Sequence, residues 1–127
     1  AHSKSMISDF VAGALAGLPA LGLAVWIGFR LIGTVVLVPV IEELFFRGYL
    51  LARLDGSQPW RRALAILISS LAFGALHGRY VVAGLAGVVF ALAMLRRGRV
   101  TDAMQAHVMA NLVVAIYALI RGDFSLI

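Results

Sequence analysis

Glu42, Glu43 and Arg47 lie within six residues of one another, in the middle of an apolar run from Leu31 to Leu54. A charge at the centre of a membrane helix costs roughly 2.5–3.5 kcal/mol on insertion scales. Three together need partners or a water-filled cavity, and such groups are functional candidates by default. At about 100° per residue, Glu43 and Arg47 share one helix face and can pair. Glu42 is turned away from them and has no cation on its own face, which leaves its carboxylate free for chemistry. His77 closes a second run, Ala63 to Leu76, with Phe73 four residues before it. His107 and Asn111, also four apart, share a stripe on a third, Ala103 to Ile120. A carboxylate beside an imidazole can hold a water and take its proton. An imidazole and an amide on a neighbouring stripe can donate to a developing oxyanion. Together they are equipment for hydrolysing an acyl bond without a covalent intermediate.

The same residues admit plainer readings. Glu43–Arg47 is expected to be a buried structural bridge. Glu42 can be a helix-packing carboxylate, His77 an interfacial histidine, and His107 with Asn111 interhelical glue. Glu42, His77 and His107 can also be read as three zinc ligands, although no HExxH helix is present. Ser69 and Ser70 suggest a serine nucleophile, but small polar residues are ordinary packing positions.

The elements that must position these groups are membrane helices. Of the 127 residues, 62% are hydrophobic and 13% charged, against about 25% charged in an ordinary soluble domain. That excludes a disordered chain and a soluble nucleic-acid binder, and the absence of cysteine excludes disulfides and thiol catalysis. The runs Phe10 to Phe29, Leu31 to Leu54, Ala63 to Leu76, Tyr80 to Leu95 and Ala103 to Ile120 imply an all-α, polytopic bundle of about five membrane helices. Pro19 is a candidate kink, and Gly13 and Gly17 form a GxxxG. The expected organisation is one domain, 1–127, with a motif-bearing core over 31–120 and an accessory membrane helix over 10–29. Asp55-Gly56-Ser57-Gln58-Pro59 is a turn, Trp60 an interface anchor, and Thr101 or Asp102 a cap for the last helix. The net charge of +5 falls mostly between the runs. If all five span, Lys4 and six arginines lie on one side, against Arg30, Arg79 and Arg121 on the other. The positive-inside rule then places the amino terminus and both Arg-rich loops in the cytoplasm. Counted from the cytoplasmic ends at ~1.5 Å per residue, Glu42, Asn111, His77 and His107 lie roughly 18, 16, 22 and 10 Å deep.

Glu42-Glu43-Leu44-Phe45-Phe46-Arg47 resembles the EExxxR motif of the CPBP family, the CAAX proteases and bacteriocin-processing enzymes. Phe73 to His77 is similar to its FxxxH motif and His107 to Asn111 to its HxxxN motif, in family order. The resemblance implies an intramembrane glutamic endopeptidase. Glu42 would be the general base, holding water with His77. His107 and Asn111 would form the oxyanion site, and Glu43 and Arg47 the supporting pair. No metal or other cofactor is expected. The expected partners are the bilayer and a membrane-associated protein or peptide substrate, not nucleic acid. Composition suits a bacterial inner membrane, where a prenylated CAAX substrate is less expected. Two other classes compete: a non-enzymatic relative serving as an immunity or membrane interaction protein, and a zinc-dependent protease.

Overall fold

The computed structural model describes residues 2–127; the side chains of residues 2–5 and 8, Lys4 included, lie outside the described residues. Among the described residues there are five helices and no strand. They are α1 (His2–Ala16), α2 (Ala20–Leu54), α3 (Pro59–His77), α4 (Tyr80–Arg97) and α5 (Val100–Arg121), followed by a 3₁₀ turn, Phe124–Leu126. Helices α2, α4 and α5 are long and apolar enough to cross a membrane.

The first two helices differ from the apolar runs. A helix over 10–29 does not form as a unit. The chain breaks at Pro19, whose backbone is extended (φ −60°, ψ 155°), because proline lacks the N–H and disfavours a helical residue before it. Arg30 then breaks nothing, since arginine is a good helix former. The end of the first run and all of the second therefore fuse into the 35 residues of α2. At about 1.5 Å per residue α2 is roughly 52 Å long, more than a bilayer core of ~30 Å. Arg30 is thus a mid-helix residue rather than a loop residue, and its Nε donates to the Ile127 carbonyl at 3.2 Å.

Two stretches of α2 are π-helical, Gly33–Leu37 and Leu44–Leu51. The first precedes Pro39. A proline inside a helix costs ~3 kcal/mol or more, through its missing donor and the crowding of the carbonyl four residues back. The widened turn is the local adjustment: the Val38 N–H reaches back five residues, to the Gly33 carbonyl.

The remaining connections are tight. Gly78 and Gly98 end α3 and α4 with φ of 63° and 67°, a left-handed conformation that favours glycine at this position. At the turn before α3, Arg62 donates to both oxygens of Asp55 at 3.1 and 3.2 Å. These bonds hold the Asp55 carboxyl below its ordinary range. Asp102 serves as partner to Arg97, at 2.7 and 2.9 Å, and α5 starts without a side-chain cap. The last turn of α2 carries Arg53, and that of α4 carries Arg96 and Arg97. Outward faces are apolar, with Ile120 79% exposed, as a lipid-facing surface requires.

Phe46, Phe73 and Phe90 anchor the main core, with Leu51, Ala91, Met94 and Ala103. Helices α3 and α4 approach most closely at Gly74. A Cβ there would stand 2.9 Å from the Tyr80 carbonyl oxygen and 3.2 Å from the Gly84 nitrogen, both backbone atoms. Gly74→Ala is therefore expected to force α3 and α4 apart and to destabilise the fold by about 1–3 kcal/mol. Thermal unfolding in detergent micelles measures this, and an unchanged midpoint would refute the close approach.

Candidate intramembrane active site

The site is built around a charge pair with no exposure. Glu43 and Arg47 are both 0% exposed. Arg47 Nη1 donates to Glu43 Oε1 at 3.0 Å, the spacing one helical turn provides. Its Nη2 donates to the Gly87 carbonyl on α4 at 2.6 Å. The guanidinium lies 4.6 Å from the centre of the Phe73 ring, with Phe90 at 5.5 Å and Phe46 at 5.9 Å. Gly87 has no room for a side chain: a Cβ would stand 3.0 Å from Nη2 and 3.2 Å from Ser70 Cα.

Glu43 Oε1 also accepts from His107, whose Nδ1 is 2.8 Å away. A carboxylate only accepts, so Nδ1 carries the proton and Nε2 points the other way. There it faces Glu42 Oε2 at 3.8 Å. The ring is held flat against Phe90, with centroids 4.5 Å apart and planes 17° from parallel. His77 is fixed in the same manner by its own helix. Its Nδ1–H donates to the Phe73 carbonyl at 2.8 Å, and its Nε2 faces Glu42 Oε2 at 3.6 Å. Two imidazoles from different helices thus aim Nε2 at one oxygen of Glu42. Both distances exceed a direct hydrogen bond, and Glu42 Oε2 has no hydrogen-bond partner. The surroundings are graded, with His77 33% exposed, Glu42 15% and His107 5%.

Glu42, His77 and His107 are therefore brought together. Asn111 lies one turn beyond His107, and its Nδ2 donates to the Thr34 carbonyl on α2 at 2.9 Å. Ser69 donates to the Ile66 carbonyl of its own helix at 3.2 Å, and Ser70 is buried against Gly87 with its Oγ unpartnered. No group of three or more His, Asp and Glu side chains stands in a metal-holding arrangement among the described residues.

Gly87, Phe90 and Thr34 were not legible as site residues. Gly87 is one of several small residues on its run, with Ala83 and Gly84, and spacing does not single it out. Phe90 carries no motif. Thr34 acts through its backbone carbonyl, which side-chain chemistry cannot announce.

The family model described as Type II CAAX prenyl endopeptidase Rce1-like matches residues 24–113. The chain belongs to this family. The matched segment contains all three motifs and runs from α2 into α5. No curated protein and no solved structure matches the chain. Family membership makes it a CAAX-type protease of the hydrolase kind, and its long apolar helices make it an integral membrane protein.

Glu43 is the hinge of the polar network, and its loss would strand Arg47 in a buried site. Breaking such a pair by removing one partner costs about 3–5 kcal/mol, more than replacing both. Glu43→Ala should therefore lower the unfolding midpoint strongly, and Glu43→Ala combined with Arg47→Ala should recover part of the loss. Thermal unfolding of the three variants tests this; a double variant less stable than either single would reject the pairing.

Proposed function

We propose that the chain is an intramembrane glutamic endopeptidase acting on a membrane-associated protein or peptide. The observation that carries the reading is the approach of two imidazole Nε2 atoms to one otherwise unpartnered oxygen of Glu42, at 3.6 and 3.8 Å. Separations of this size suit a bridging water rather than a direct bond. His77 donates through Nδ1, so in its neutral form Nε2 offers a lone pair to that water. Glu42 takes the proton as the water oxygen attacks the scissile carbonyl carbon. The carbonyl electron pair moves to its oxygen, and the oxyanion is met by donors on α5. His107 gives its Nδ1–H to Glu43, so donation through Nε2 requires a second proton on the ring. Asn111 donates through the N–H that Thr34 leaves unused. Glu42 then passes its proton to the leaving nitrogen as the C–N bond breaks, releasing a carboxylic acid, which keeps the other proton of the water, and an amine.

The domain reading is a single peptidase domain over 1–127 with its core over 31–120, in a bacterial inner membrane with the Arg-rich ends cytoplasmic. The family description makes a prenylated CAAX peptide the first substrate to try.

Glu42→Gln keeps shape and hydrogen bonding while removing the base. Loss of a general base typically costs about 100- to 10,000-fold. Turnover of a prenylated CAAX peptide in proteoliposomes should fall by that order, with unchanged helicity and unfolding midpoint. Near-normal turnover would sink the assignment and favour a non-enzymatic or interaction role. The wild-type protein should also resist chelators. One bound zinc per chain, with activity lost on chelation and restored by zinc, would make Glu42, His77 and His107 metal ligands instead.

A further inference from the structure

The Thr34 carbonyl lies in the interior of α2, where a helix ordinarily consumes every carbonyl. In an α-helical turn its donor is the N–H of residue 38. Here the Val38 N–H goes to the Gly33 carbonyl instead. In a π-helical turn the donor five residues on is residue 39, and residue 39 is proline, with no N–H to give. Both backbone donors are therefore missing at one carbonyl, and Asn111 from α5 fills the place at 2.9 Å.

We propose that Pro39 is a positioning residue: by withholding its N–H it presents the Thr34 carbonyl to Asn111, and so fixes the depth of the Asn111 amide one turn beyond His107. Carbonyls point toward the C-terminus of a helix, whereas side chains lean toward its N-terminus. Thr34 O thus reaches forward along α2 while Glu42 and Glu43 reach back. Asn111 and His107, one turn apart on α5, meet those two sets of groups in order: Nδ2 on Thr34 O and Nδ1 on Glu43 Oε1. One helix therefore carries the base and also fixes the depth of the amide opposite it. The catalytic consequence rests on the reading of Asn111 as an oxyanion donor; the clamp itself rests on the backbone alone.

The test is a double-mutant cycle on the full chain in proteoliposomes, with Pro39→Ala, Asn111→Ala and the double variant. Pro39→Ala supplies the missing N–H, so the Thr34 carbonyl returns to the helix and Asn111 is released. For stability, Asn111→Ala alone should lower the unfolding midpoint by several degrees, because it orphans a part-buried carbonyl. In the Pro39→Ala background it should cost nothing further. For turnover of a prenylated CAAX peptide, each single variant should lose about 100-fold in kcat with KM unchanged, the usual loss for one oxyanion donor. The double variant should be no worse than either single. A proline that only bends the helix would give additive midpoint changes and full kcat in Pro39→Ala, and either result overturns the clamp. Full turnover in Asn111→Ala overturns the oxyanion reading instead, and the thermal cycle then still decides the clamp. Pro39→Gly, which also supplies an N–H, replaces Pro39→Ala in the cycle should that variant fail to accumulate.

Discussion

A salt bridge with no solvent exposure, inside a bundle surrounded by lipid, must be answered by the protein on every side. Each ion gives up several kcal/mol of hydration, and Coulomb attraction offsets it only when the remaining donors and acceptors are met. Arg47 reaches Glu43 with one arm and the Gly87 carbonyl with the other, and three aromatic rings lie against the guanidinium. These partners come from α2, α3 and α4. The absence of a side chain at Gly87 and the phenylalanines at 46, 73 and 90 all follow from one charged pair on α2. His107 adds a partner from α5 through the same carboxylate oxygen, while Glu43 Oε2 and Arg47 Nε are buried without a hydrogen-bond partner. The bundle closes around that pair, and Glu42 stands one residue away, where everything nearby is already fixed.

Much of the site was legible because it is written in helical arithmetic. The four-residue spacing of Glu43 and Arg47 is enough to pair them, and the structure pairs them at 3.0 Å. The same arithmetic leaves Glu42 alone on its face, with no cationic partner on α2. It cannot show what His107 does with its second nitrogen. That contact joins residues 64 apart in sequence, and spacing along one helix carries no information about it. His107 and Asn111 share a stripe, as expected. Yet one turns to a carboxylate and the other to a backbone carbonyl, because α2 offers different groups at the two levels.

The all-α fold and the five helices were also legible, but the division of the first two was not. Counting apolar residues between charges puts a boundary at Arg30. Helices end where backbone donors or dihedral freedom fail, which is at Pro19, and a single arginine in the body of a helix finds a carbonyl such as that of Ile127. Pro39 shows the opposite outcome. The residue type that ends one helix is absorbed by another, because the turn before it widens and a side chain from α5 takes the carbonyl left over.

The gradient of exposure across the site bears on how water reaches a peptide bond inside a membrane protein. His77 is the last residue of α3, immediately before the left-handed Gly78, and it is a third exposed. His107 is in the body of α5 and nearly dry. The two histidines approach the same oxygen of Glu42 from opposite environments. The exposed approach to Glu42 is therefore the His77 side, at the end of a helix, where polar groups are already tolerated. The His107 side stays buried, with Phe90 stacked on the ring and Glu43 on its Nδ1. Hydrogen bonds to a developing negative charge are strongest where water is excluded, and proton abstraction needs water at hand. On the proposed peptidase reading, one carboxylate between a part-exposed imidazole and a buried one would meet both demands. The placement depends on α3 ending at the depth where α5 is still buried.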